Sequence, residues 1–407
     1  MRIIVSGVAP WAKGGYGNQG KFLIDAFREL GHTVFGFPHY GLQGGPLNVD
    51  GVEYLAMFRD GWGHDVIHHH VKATRADAVL SFHDVWTLSP DFPRSLNVPW
   101  ITYSPIDSIP VPPKLVTVLR EAAHVVAMSR FGQQEMQKSG IVSTYIPHAI
   151  DTDIYRPGDK MEARRELGIS EDKFICLIAA ANFYYPSRKA FPEQMAAFAK
   201  FHHEFPDSEL LFHTALTPTS SAGGLDINEL IRNLGLTGCT ANTPEYDICM
   251  GVTEERMALM YRAADVLLGA SYAEGFGLCQ AAAQACGIPI IVHDFAASPE
   301  FLFNGVKVGS SQRFWKLEGC WQAIPSIASI THALREIYLN RDSYVEKGLE
   351  AAKRSQRELS QVHVRDTYWK PLLERVEHGD ASCFREAAAS ATFMQSTLET
   401  LGTEAAD

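Results

Sequence analysis

Short β-branched apolar runs and amphipathic helical stretches alternate along this chain, break once, and then alternate again. This double alternation constrains the fold more than any other feature. The first series has strand patterns at residues 2–8, 32–37, 78–82, 99–103, 124–128 and 142–146, with helical patterns near 19–30, 62–75, 113–122 and 130–138. After PHAIDTDIYRP at 147–157, the segments KFICLIAAAN, SELLFHT, ADVLLGAS and IPIIVHD supply further strands, with helical patterns between and after them. The expected class is α/β, with two Rossmann-like doubly wound domains facing a cleft. The predicted boundaries are 1–150, 151–362 and 363–407, the last holding a helix over DTYWKPLLERV that returns to the first domain, and a tail. Such sheets bind ligands at the C-terminal ends of their strands, so the cleft is where chemistry is expected.

Composition narrows the partners. Of 407 residues 46% are hydrophobic and 20% charged, which suits a globular chain with full cores. No apolar run reaches the length of a membrane span, and Met1-Arg2 leads directly into a strand pattern, so a cytoplasmic protein is expected. The seven cysteines include no C-x-x-C pair and read as reduced thiols. Net charge is −11, and residues 1–150 hold twelve Lys/Arg against twelve Asp/Glu, so no basic block points to nucleic acid.

GGYGNQG at 14–20 places Gly15, Gly17 and Gly20 in G-x-G-x-x-G spacing between the first strand and first helix patterns. A dinucleotide site needs the first glycine close behind the strand and an acidic residue at the end of the next one. Here seven residues lie between Gly7 and Gly15, and the second strand ends in Pro38-His39. The loop therefore reads as an anion or sugar loop, with Gly15 and Gly17 as donor contacts, and NAD as the lesser alternative.

In ADVLLGASYAEGFGL followed by CQAAAQACGIP, a buried strand leads through a loop with one carboxylate, Glu274, into a helix start. A helix start favours phosphate, whereas a carboxylate beside it suits neutral hydroxyls. A sugar joined to a diphosphate satisfies both. SYAEGFGL with QACGIP, LMYRAADVLL and YIPHAIDTDIYRP resembles the family-4-type retaining glycosyltransferases of the GT-B fold.

The resemblance implies a nucleoside-diphosphate sugar as co-substrate, no required metal and no other cofactor. It places the donor on the second domain and a carbohydrate or other hydroxyl-bearing acceptor on the first. It also implies that Glu274 bonds sugar hydroxyls and that Gly275, Phe276, Gly277 and Leu278 contact sugar or phosphate. Arg188 and Lys189 are the cations expected to hold and activate the diphosphate.

The pattern departs at three places. Asn182 stands where the family has an arginine. Ser104 or Asp107 stands where a histidine contacts the sugar, and Ala282 stands where a second glutamate bonds the ribose. A charged hydrogen bond is worth roughly 1.5–3 kcal/mol, so Ala282→Glu is expected to tighten donor binding about tenfold to a hundredfold.

Other candidates carry plainer readings. His83 and Asp84 end one strand and Ser104 and Asp107 another, all at the cleft edge. They are acceptor-side candidates, with Asp107 also a catalytic one, against a bland role in capping strand ends. Asp151-Thr152-Asp153 spells a metal-binding D-x-D but lies in the linker, where a turn is expected. His64 and His68 are spaced for a metal pair without an evident third ligand. Two alternatives remain: a sugar-nucleotide or polysaccharide binding protein that kept the fold, and an enzyme of the same kind whose acceptor is a nucleic-acid base.

Overall fold

The computed structural model describes residues 1–379 apart from 40, 41, 90, 93, 94, 185 and 219–222. The predicted tail from 380 lies outside them. In the first half the strands are β1 (Arg2–Gly7), β2 (Thr33–Pro38), β3 (Leu47–Val49), β4 (Val52–Tyr54), β5 (Ala78–Phe82), β6 (Trp100–Ser104), β7 (His124–Ala127) and β8 (Thr144–Tyr145). They form one sheet in the order β3-β4-β2-β1-β5-β6-β7-β8. Every pair is parallel except the β3–β4 hairpin. In β5 and β6 every residue is buried, as strands covered by helices on both faces require, so their sequences are continuous and not alternating.

The second half repeats the design. Strands β9 (Phe174–Ala179), β10 (Ser208–His213), β11 (Thr240–Asn242), β12 (Val266–Gly269), β13 (Ile290–His293) and β14 (Gly305–Val308) form a wholly parallel sheet. Its order is β11-β10-β9-β12-β13-β14. Two of its helices start at side-chain caps: Asp226 accepts from Glu229 N at 2.9 Å and Ser326 from Ser329 N at 3.3 Å.

Three features place the two sheets around the cleft. A hairpin outside both, β15 (Ser310–Lys316) with β16 (Cys320–Pro325), reaches the first half, where Trp321 and Ile109 exchange backbone hydrogen bonds of 2.7 and 3.2 Å. The chain then crosses back: Trp369, fully buried, packs edge-on against Phe27 and Tyr103 at ring separations of 5.3 and 5.1 Å. The linker is held to the final helices by Ile150 N, which donates to Leu359 O at 2.7 Å.

Several expectations need correction. The helix expected over 62–75 begins only at Ile67, because Asp60 and Asp65 accept backbone N–H groups of residues 59–64 and hold a turn there. The β3–β4 hairpin, the helices Lys160–Leu167 and Glu245–Met250, β11, β14 and the β15–β16 hairpin were not anticipated.

Candidate active site in the cleft

Glu274 follows β12 and precedes the helix Leu278–Ala285. Its backbone carbonyl accepts from Ala297 N at 3.1 Å, which fixes the loop. The carboxylate is 11% exposed and binds two cations: Lys189 Nζ donates to Oε1 at 2.6 Å and Arg188 Nη1 to Oε2 at 3.1 Å. Burial alone would raise its pKa, but Lys189 and Arg188 outweigh burial and hold it down at about 2. Arg188 also donates to the Ala273 carbonyl and stands 3.9 Å from Asp107 Oδ2. Burial works against the charge on Arg188, yet Glu274 and Asp107 keep its pKa above the ordinary arginine value. The sequence suggested a sugar carboxylate and a separate phosphate pair; the three residues form one connected cluster.

The first domain supplies the facing wall. Tyr16 Oη donates to Asp84 Oδ2 at 3.2 Å. Burial and the nearby Asp107 raise the Asp84 carboxyl, and Arg188 partly offsets them. Asp107 Oδ2 accepts from Gln322 Nε2 of the hairpin at 3.4 Å. Glycines let the walls close: a Cβ on Gly275 would lie 2.5 Å from Pro105 Cβ, and one on Gly15 would lie 2.9 Å from Leu278 Cδ1. Gly15, Asp84, Asp107, Arg188, Lys189, Glu274, Gly275 and Leu278 are therefore brought together.

Other candidates are placed differently. Asn182 is 2% exposed, and its amide donates to Ala215 O and Leu225 O and accepts from Leu225 N, so it ties two loops and both of its side-chain N–H hydrogens are used there. Ser104 is 1% exposed and accepts from Val85 N at 3.3 Å, a strand-end contact. The Phe276 ring packs on His148 and Phe301 at 4.7 and 4.2 Å, leaving only its backbone for a ligand. Ala282 lies in the apolar core. Gly277 starts its helix at φ 98°.

Asp151 accepts from Asp153 N and Ile154 N at 3.1 and 3.3 Å, which makes the linker D-x-D a turn. His64 Nδ1 lies 2.9 Å from Asp60. Among the described residues no three His, Cys, Asp or Glu side chains form a group that could hold a metal ion. No helix among them is long and apolar enough to cross a membrane.

Sequence reasoning missed Tyr16, which stands inside the glycine stretch, and Gln322, whose approach depends on a hairpin. The hairpin had a signal: SSQRFWK and CWQAIP flank a Leu-Glu-Gly turn.

Gly17 separates loop geometry from ligand contact. A Cβ there would lie 1.8 Å from the Ala12 carbonyl oxygen, so Gly17→Ala must displace backbone, whereas Gly15→Ala meets only the end of the Leu278 side chain. Thermal denaturation should show Gly17→Ala destabilised by about 1–3 kcal/mol and Gly15→Ala by less. Equal losses would refute the steric account.

Comparison with known proteins agrees with this geometry. Residues 245–354 match the family described as Glycosyl transferases group 1. The D-inositol 3-phosphate glycosyltransferase 2 of Catenulispora acidiphila is 32% identical over 156 residues, 37% of this chain and 34% of that one. The D-inositol 3-phosphate glycosyltransferase of Segniliparus rotundus is 25% identical over 334 residues, 75% of this chain and 68% of that one. The chain spans about a third of the length of the first curated relatives it matches.

Among solved structures, sucrose-phosphate synthase from Thermosynechococcus elongatus superposes with a TM-score of 0.77 at 15% identity, covering 93% of this chain and 100% of that one. Anabaena HepE in complex with UDP-glucose gives 0.67 at 13% identity, covering 92% and 100%. The chain thus has the GT-B architecture of the glycosyltransferase structures it superposes on, and its segment 245–354 matches the group 1 glycosyltransferase family.

Proposed function

We propose that this chain moves a sugar, with retention of configuration and without a metal ion, from a nucleoside-diphosphate sugar to a hydroxyl-bearing acceptor. The observation that carries the reading is Glu274 held between Arg188 and Lys189 at the C-terminal ends of strands in a cleft between two parallel sheets. UDP-glucose, named for the Anabaena structure, is the first donor to try, and the inositol 3-phosphate of the relatives' name is one acceptor to try.

In this reading the donor's C1–O bond to the diphosphate breaks as the acceptor oxygen bonds to C1 on the same face. The acceptor proton passes to the departing diphosphate oxygen. Arg188 and Lys189 stabilise the negative charge that grows on that oxygen, which is the largest service a preorganised site can offer. Glu274 aligns the sugar through its hydroxyls, and Asp84 and Asp107 face the acceptor. Position and charge do the catalytic work, with no covalent enzyme intermediate.

The test is a panel of UDP-, GDP- and ADP-sugars in EDTA, with released nucleoside diphosphate measured and the product's anomeric proton read by NMR. Release with transfer and retained configuration is expected. Binding without release across donors and acceptors would favour a binding protein, and activity that returns only with added Mg²⁺ or Mn²⁺ would overturn metal independence.

A further inference from the structure

Behind Asp84, at the ends of β2 and β5, lies a group of rings that the transfer step does not use. His39 and His83 sit 4.5 Å apart by ring centroid, and Trp62 lies near-parallel to His83 at 6.2 Å. Trp62 also meets Trp86 edge-on at 6.0 Å. Trp86 is 49% exposed, whereas His83 is 4% exposed. The ring cluster thus runs from a solvent-facing indole to a buried imidazole and is joined to the Glu274 cluster through Asp84, the neighbour of His83 in sequence.

Hydrogen bonding fixes the state of His83. The Thr87 hydroxyl gives its proton to the Asp84 carbonyl at 2.7 Å, so at 3.0 Å from His83 Nδ1 the Thr87 oxygen can only accept. His83 Nδ1 therefore carries the hydrogen, and Nε2 is a bare acceptor. Among the described residues neither this buried Nε2 nor the buried Nδ1 of His39 has a partner. Burial holds His83 down at about 4 and His39 at about 3, so both rings are neutral near pH 7. An unpaired buried acceptor is costly unless something donates to it.

Charge selects what that something is. Among the described residues, the charges that bear on Asp84 are Asp107 and Arg188, with Tyr16 bonded to it, and those that bear on His39 and His83 are neighbouring histidines. A phosphorylated ligand would set its dianion beside Asp84 and Asp107, a like-charge juxtaposition that complementary sites avoid. A sugar or cyclitol ring has an apolar C–H face that fits an indole and a rim of hydroxyls that can donate to imidazole nitrogen and carboxylate.

We propose that the ring cluster of His39, Trp62, His83 and Trp86, with Asp84 beside it, forms the acceptor subsite, and that it takes an uncharged sugar or cyclitol ring and rejects the corresponding phosphate. The word acceptor rests on the transferase reading; the ligand preference does not.

Binding is therefore measured without donor, by tryptophan fluorescence titration of the full chain with matched pairs: glucose and glucose 6-phosphate, inositol and inositol 3-phosphate, sucrose and sucrose 6-phosphate. In at least one pair the neutral member binds at least about tenfold more tightly, and in none does the phosphate win. Trp86→Ala, a change at a half-exposed side chain, weakens the neutral ligand at least about tenfold without moving the thermal midpoint. Asp84→Asn narrows the gap between the members of the pair. Tighter binding of any phosphate, no binding of any neutral ring, or full binding by Trp86→Ala overturns the proposal. A failure of transfer in the donor panel leaves these titrations readable, so the two readings fail separately.

Discussion

Glu274→Gln is expected to reduce sugar transfer at least about a hundredfold and, against the usual behaviour of loop carboxylates, to destabilise the fold as well. Both effects come from the same geometry. Glutamine keeps the shape but removes the charge that Lys189 and Arg188 share at 2.6 and 3.1 Å, leaving Lys189 without its counter-ion and Arg188 with Asp107 at 3.9 Å.

The pH dependence is specific. The folded pKa of about 2 lies below the ordinary 4.5, so the stabilisation is fully present above about pH 4.5 and is lost as pH falls toward 2. The shift corresponds to about 3 kcal/mol at neutral pH, an upper value because Arg188 keeps 41% of its side chain exposed and solvent screens its share. Urea denaturation of both proteins from pH 7 down to the lowest pH at which they stay folded should show the stability gap shrinking below pH 4.5. A gap independent of pH, or unchanged turnover in the variant, would remove Glu274 from the centre of the site.

What the sequence made legible follows from how far each signal reaches along the chain. Strands such as FICLIA and AVLSF are apolar throughout because both faces are covered, and that is visible in a window of a few residues. Glu274 was legible because its loop, glycines and helix start are contiguous, and Arg188 and Lys189 because they are adjacent cations in a loop otherwise rich in aromatic residues.

Longer-range relations were not visible. Nothing local in Gln322 says that its amide reaches Asp107, 215 residues away in sequence. Nothing in Tyr16 says that it will meet Asp84. Asn182 and Ala282 show the converse error: each occupies a position where a known pattern has a ligand contact, but a position in a pattern does not report burial. Asn182 spends its amide on two loops, and Ala282 faces the core.

That burial reverses the expected outcome of Ala282→Glu, which should now destabilise the chain by about 3 kcal/mol and leave donor affinity without a gain. Residues 279, 282 and 286 share a face of the helix Leu278–Ala285 and its cap. Burial raises the Cys279 thiol and pushes Cys286 up to about 12, and Tyr155 and Tyr261 lie close enough to couple to both. The surroundings of Ala282, itself 6% exposed, are thus apolar or phenolic. Glu254, bonded to Tyr155, adds a carboxyl whose pKa is raised by burial and by Asp151.

The cations acting on Cys286 and Cys279 are Arg262, committed to the carbonyls of Arg156 and Ile154 at 2.8 and 2.6 Å, and Lys189, committed to Glu274 at 2.6 Å. A new carboxylate would be desolvated in this core, so its folded pKa would rise above the unfolded value of about 4.3. The penalty would then be absent below about pH 4 and grow as pH rises toward the folded pKa. Ala282→Gln supplies the control, since it adds nearly the same volume without the charge. Denaturation curves of the two variants should converge near pH 4 and separate by pH 7, with the glutamate variant the less stable. A glutamate variant as stable as the parent at pH 7 that also binds nucleoside diphosphate tenfold more tightly would show that the face opens to the ligand and that the ribose is held there.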